Sequence, residues 1–172
     1  MREAGYVDVV DESDKAIGKL HWTEADKDDP KRITRAAAVL VFNSKSGLFL
    51  QKRSKNKRRF PLHWAESASR WVDAGETYVE AAAREIEEEI GIKRRPDELE
   101  FLFRFFADFD RKEFVEVYRT VSDGPVKLNP EEVAEGRFFS MGEIRRMIEG
   151  GEKFSPFSLS IFGEFLQKAD RN

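Results

Sequence analysis

The sequence predicts a mixed-sheet α/β (α+β) layer fold with a β-hairpin extension at its N-terminal end. Three observations carry this expectation. Apolar runs bounded by turn residues recur along the chain, one amphipathic helix with a capping signal at each end interrupts them, and two further capped helices follow. Strands interleaved with helices bury their faces as layers about one sheet.

The elements follow in order. Residues 6–10, the polar turn 11–14 and residues 15–20 read as strand, turn and strand. Residues 23–32 are charged, hold Pro30 and form a linker. The apolar run 36–42, the turn 43–47 and the strand 48–53 make a second hairpin, expected at the centre of the sheet. A basic loop spans 54–61, and 64–72 is extended. Residues 77–90 form the best helix: Thr77 and Glu80 compose a capping box, and Gly91 stands where a helix ends left-handed. Aromatic-rich strands cover 99–109 and 113–121, and a short strand covers 135–139. Ser140 caps a helix that runs to about Glu149 and stops at Gly150-Gly151, and Ser155-Pro156 opens the last helix.

A chain of 172 residues suits a single domain, read as a hairpin and linker (1–32), a core (33–150) and a C-terminal helix (151–172). The absence of cysteine excludes disulfides, thiolate metal sites and thiol nucleophiles. Charged residues make up 37%, while the net charge is only −3, so no global attraction to nucleic acid or membrane is expected. No apolar run approaches the roughly 18 residues of a membrane span, and the acidic start lacks a signal-type apolar core; the expected location is cytoplasmic.

At about 100° per residue, Val79, Ala82, Ala83, Ile86 and Ile90 fall on one stripe of the helix, which should face the core. Glu85, Glu88 and Glu89 gather on the neighbouring sector, while Glu80, Arg84 and Glu87 point elsewhere. Like charges three and four residues apart cost roughly 0.2–0.5 kcal/mol per pair, more when partly buried. A divalent cation with oxygen ligands relieves that repulsion. A solvent-facing acidic helix is the ordinary alternative for a Glu-rich run.

The residues around the acids go further. Glu76 with Arg84-Glu85-Ile86-Glu87-Glu88-Glu89-Ile90-Gly91-Ile92 resembles the Nudix box, Gly-x5-Glu-x7-Arg-Glu-U-x-Glu-Glu-x-Gly-U, where U is a bulky aliphatic. The likeness extends over roughly residues 34–150, through 48–53, Phe60-Pro61, Trp64, Glu131-Glu132-Val133 and Arg137-Phe138-Phe139. It implies a mixed sheet sandwiched between helices and a Mg²⁺- or Mn²⁺-dependent hydrolase cutting a diphosphate linkage in a nucleoside diphosphate derivative or similar small molecule. By this resemblance Glu85, Glu88 and Glu89 hold the metal. Glu88 or Glu89 is the first choice for the base that takes water's proton, and Glu113 the second. Glu113 and Glu116 alternate on one strand, so only one can face the helix. Glu113 is favoured, because related isopentenyl-diphosphate isomerases carry a metal-site glutamate on the corresponding strand. Arg53, with Lys52, is expected on a substrate phosphate. Glu76, Arg84 and Gly91 are expected to shape the motif, Arg84 by ion pairing.

The pattern departs at its first position, where Arg70 replaces a glycine whose carbonyl often completes the metal shell; arginine keeps that carbonyl, so Arg70 stays in the expected metal set, with a contact from its side chain to a substrate phosphate as the other reading. A nucleotide-binding module with weak or no turnover is therefore the alternative. The N-terminal hairpin and Trp64 also resemble the isopentenyl-diphosphate isomerase branch, but Ser69-Arg70-Trp71 stands in place of its Cys-Gly-His, and Thr34 in place of a metal-binding histidine. The expected partner is a small diphosphate; a homodimer through the hairpin is possible, and membrane and nucleic acid are not expected.

Overall fold

The structure, a computed structural model, describes residues 1–169. Its spine is the apolar strand β3 (Ile33–Phe42), reached after β1 (Glu3–Val10), β2 (Ala16–His21) and the short helix α1 (Trp22–Ala25). The chain continues through β4 (Leu48–Arg53), β5 (Trp64–Ala65), β6 (Ala68–Trp71), β7 (Asp73–Ala74) and helix α2 (Tyr78–Ile90). Strands β8 (Glu100–Asp108), β9 (Lys112–Val121) and β10 (Val133–Phe139) follow, then helices α3 (Met141–Glu149) and α4 (Pro156–Ala169). Helix α1 overlaps the span expected as a linker, and a 3₁₀ turn at Pro96–Glu98 lies between the expected helix and strand, because single turns are too short to show a helical period. Residues 170–172 of the expected C-terminal helical segment lie outside the described residues. Among the described residues no helix is long and apolar enough to cross a membrane.

One edge of β3 runs parallel to β9, from Ile33↔Lys112 to Phe42↔Val121, and β8 pairs antiparallel with β9 beyond it. The other edge is shared. Strands β3 and β4 meet only at Phe42↔Leu48 beside their turn and then diverge. The segment 64–71 fills the wedge: β5 pairs with β4 at Gln51↔Ala65, and β6 pairs with β3 from Ala36↔Trp71 to Val39↔Ala68. Between them the Ser67 hydroxyl supplies the missing ladder bonds, accepting from Val41 N at 2.8 Å and donating to Phe49 O at 2.6 Å. The expected hairpin is thus present but opens past its turn, and β10 covers the outer edge of β4.

Alternation along β3 sorts the core into two layers. Ala37, Val39 and Val41, with Phe49, pack against Ala82, Ile86 and Ile90 of α2. Ala36, Ala38 and Leu40, with Leu48 and Leu50, pack against Ile144 of α3 and Ile161 and Phe162 of α4. Full burial of each large aliphatic side chain stabilises by about 1.5–3 kcal/mol, so the first layer holds α2 over the wedge. Both caps of α2 form: Glu80 N donates to Thr77 Oγ1 at 3.3 Å, Thr77 N donates to Glu80 Oε2 at 2.8 Å, and Gly91 closes the helix at φ 71°. The hairpin turn is tied to the first turn of α2 through Asp14, which accepts from Arg35 Nε at 2.6 Å, Arg104 Nη2 at 2.5 Å and the Tyr78 hydroxyl at 2.9 Å.

Candidate active site

The second half of α2 lies over the wedge, and its three sorted acids meet different surroundings. Glu85 is fully buried, Glu89 is buried, and the Glu88 side chain is half exposed. Glu89 Oε2 accepts from Gln51 Nε2 at 2.5 Å, and the same amide reaches Ser67 O at 3.2 Å, so Gln51 bridges the wedge beneath the helix. Glu85 accepts from Arg84 through one oxygen, while its other oxygen, Oε2, is buried without a hydrogen-bond partner. A carboxylate oxygen so placed is costly unless a cation or a proton reaches it. Burial, more than anything else, pushes the Glu85 carboxyl up to about 7 against the charges of Arg84 and Arg70. Burial likewise pushes Glu89 up to about 8, reinforced by the Glu85 charge and opposed by the Gln51 bond.

Arg84 makes the ion pairs expected of it, although the helical wheel directs its Cβ away from the acids: its long side chain folds back across them. Nε and Nη2 grip the two oxygens of Glu76 at 2.9 and 2.8 Å, Nη2 reaches Trp71 O at 3.2 Å, and Nη1 meets Glu85 and lies 3.5 Å from Glu88. The reason is Glu76, a buried carboxylate that needs a cation and also accepts from Asp73 N at 3.0 Å. Burial weakens the hold of Arg84 on its proton, but the Glu76 bonds and the Glu85 charge outweigh it and hold the guanidinium above its ordinary range. One guanidinium therefore serves three carboxylates and leaves the cluster short of positive charge.

Glu113 corrects an expectation. Its register partner is Thr34, on the alternation of Ala36 and Ala38, so it faces the α3–α4 layer and not α2. There Oε1 accepts from Trp71 Nε1 at 2.7 Å and lies 3.5 Å from Thr34 Oγ1 and 3.6 Å from Arg111 Nε. Glu116 faces α2 instead, but its carboxylate is taken by the Tyr118 hydroxyl, near Arg104. The β9 acids are thus separated from the three glutamates of α2.

The structure also parts Lys52 from Arg53. Lys52 turns to the other face of β4, 3.0 Å from Glu135 and over the Trp64 ring at 5.3 Å. Arg53 shares the Gln51 side, with Nε donating to Arg59 O at 3.1 Å. Arg70, in β6 opposite Ala37, has ordinary negative-φ backbone, so the loss of the expected glycine costs no strain there. Its Nη1 lies 3.5 Å from Glu132 Oε1, and Lys57 bonds the other oxygen of Glu132. The loop carrying Glu132 is pinned to the end of α2, with Asn129 N donating to Glu89 O at 2.9 Å. Gln51, Lys57 and Glu132 were not anticipated as site residues. Gln51 left a signal as a polar side chain on the buried face of an apolar strand, and Glu132 as part of the Glu131-Glu132-Val133 stretch that carries the resemblance.

Among the described residues no three acids close into a ready-made metal cage. The donor set nevertheless fits a hard divalent ion: the unpartnered Glu85 oxygen, the crowded Glu89 and the exposed Glu88 share one sector of α2. Mg²⁺ characteristically takes one or two carboxylates and fills the remaining positions with water and substrate phosphate.

Comparison with known proteins matches residues 32–157 to the family model described as the NUDIX domain. An uncharacterised Nudix hydrolase of Pseudomonas aeruginosa is 39% identical over 130 residues, covering 75% of each chain. An isopentenyl-diphosphate Δ-isomerase of Nocardia farcinica is 33% identical, covering 81% of each. The crystal structure of DR0079 from Deinococcus radiodurans superposes with a TM-score of 0.73 at 26% identity, covering 87% of this chain and 92% of that one.

Proposed function

Because this chain belongs to the Nudix family and is a pyrophosphohydrolase of Nudix type, we propose that it cleaves the diphosphate linkage of a nucleoside diphosphate derivative or similar small molecule with the help of Mg²⁺ or Mn²⁺. The observation that carries this reading is the pair of buried carboxylates, Glu85 and Glu89, with one oxygen left without a partner beside an overextended arginine.

Glu85, Glu88 and Glu89 would hold the ion. When bound, it supplies charge neutralisation for the diphosphate oxygens and a more acidic water. In the hydrolysis, water attacks one phosphorus, its oxygen forms the new P–O bond, the bridging P–O bond breaks and the second phosphate departs. Glu88 is the proposed base that accepts the water proton, because it is the acid of the three that solvent and substrate reach. Glu89, buried on Gln51, is better suited to ligation. Arg84 and Glu76 fix the loop before α2 and aim Glu85. Arg53 lies on the same side of β4 as Gln51, where it would meet a phosphate.

Isomerase chemistry is not carried over from the relative that performs it. Ser69 and Trp71 stand where the resemblance expects the isomerase thiol and histidine, and Trp71 with Thr34 occupies the Glu113 carboxylate. A product screen tests the proposal: nucleoside triphosphates, nucleotide sugars, dinucleoside polyphosphates and CDP-alcohols, with Mg²⁺ and with Mn²⁺. Metal-dependent cleavage lost in Glu88→Gln is the expected result; no cleavage by folded protein favours the binding module.

A further inference from the structure

We infer that Lys57, Arg70 and Arg53 form an anion site on the rim of the wedge, that Glu132 of the same chain fills it in the free protein, and that a substrate diphosphate takes it by displacing Glu132. The inference deepens the hydrolase reading and rests on it for the identity of the anion.

The charge balance of the rim is its basis. Among the other cations nearby, Arg58 and Arg59 are committed to Asp26, Asp28 and Asp110, Lys52 to Glu135, and Arg84 to Glu76 and Glu85, while Lys55 is exposed to solvent. Lys57 and Arg70 share the single carboxylate of Glu132, one on each oxygen. Arg53 is held by a neutral carbonyl and adds a third positive charge acting on Glu132. Three cations from β4, the basic loop and β6 thus converge on Glu132, with the charge of Arg70 also felt by Glu85 and that of Lys57 by Glu89.

The carboxylate fits the site only in part. Arg70 stays 3.5 Å away, at the limit of a hydrogen bond, and its side chain remains 41% exposed. Burial pushes Glu132 up, but the Lys57 bond and the charges of Lys57, Arg70 and Arg53 prevail and hold it below the usual carboxylate range, as expected for a convergent positive field. A diphosphate brings more charge and more acceptor oxygens than a carboxylate, and a guanidinium can grip it with two parallel bonds. Arg70, placed where the resemblance expects glycine, is thereby assigned a role: it extends the phosphate contacts of this chain beside Glu85.

The test is calorimetric titration of inorganic pyrophosphate into the full chain in EDTA, so that neither metal nor turnover enters. Glu132→Gln is expected to bind pyrophosphate roughly tenfold more tightly than the parent, because a competing like charge is gone. Arg70→Ala in the Glu132→Gln background should cancel most of that gain. Equal or weaker binding by Glu132→Gln, or a double variant that binds as tightly as Glu132→Gln, overturns the inference. Thermal melting establishes that each variant folds. If Glu132→Gln does not, Arg70→Ala and Lys57→Ala in the parent must each weaken pyrophosphate binding, and unchanged binding overturns the inference. Tighter binding without cleavage of any substrate would keep the anion site and remove the hydrolase reading; cleavage without tighter binding would do the reverse.

Discussion

Replacing Glu89 by glutamine should weaken the pH dependence of stability in the metal-free protein. Glu89 is buried, its one resolved partner is the Gln51 amide, and its carboxyl is displaced from an ordinary 4.5 up to about 8. The folded state therefore holds a proton that the unfolded state releases. Stability from the neutral carboxyl is fully present below about pH 4.5 and is lost as pH rises through about 8. At about 1.4 kcal/mol per tenfold change in proton affinity, the displacement corresponds to a loss on the order of 3–5 kcal/mol across that window. For a chain of this size that is roughly 10 °C in Tm. Glutamine keeps the shape and a hydrogen bond to Gln51 and removes the titration. Scanning calorimetry in EDTA should show similar Tm values for parent and Glu89→Gln near about pH 5, and a variant more stable by several degrees near about pH 8.5. Adding Mg²⁺ should then raise the parent more than the variant, since the ion binds the deprotonated carboxylate. Parallel Tm curves in EDTA would refute the reasoning.

Three further outcomes follow from the same contacts. Glu88→Gln should lower kcat about 100-fold or more while leaving Tm within about 2 °C, because a half-exposed carboxylate contributes little to folding; a kcat within tenfold of the parent would remove Glu88 as the base. Arg84→Met should destabilise by about 3 kcal/mol, read by urea denaturation, since it strands the buried Glu76 and Glu85 carboxylates. Gly91→Ala should cost about 1–2 kcal/mol in the same assay, because the residue sits at φ 71° and a Cβ there would lie 2.9 Å from Lys127 Cβ.

Local signals carried α2 into the sequence reading almost whole. Thr77, Glu80 and Gly91 act on their immediate neighbours, and the sorting of Glu85, Glu88 and Glu89 follows from helical period alone. What escaped depends on partners distant in sequence. Alternation says that Glu113 and Glu116 oppose each other, but which of them faces α2 is set by the Thr34↔Glu113 register with β3. A helical wheel gives the direction of Cβ and not of a guanidinium five bonds away, so Arg84 could not be placed without the buried Glu76 that recruits it. The opening of β3 from β4 depends on the insertion of 64–71, which no turn signal announces. Glu132 joins the rim through ion pairs to Lys57 and Arg70, side chains from two other segments.

The central claim is that Glu85, Glu88 and Glu89 compose a divalent-metal site. Titration of Mn²⁺, followed by the paramagnetic resonance signal of the free ion, tests it most directly on the parent and on a chain with all three glutamates changed to glutamine. The account predicts saturable binding by the parent and its loss in the folded triple variant. Identical binding curves would contradict it and place the metal elsewhere on the molecule.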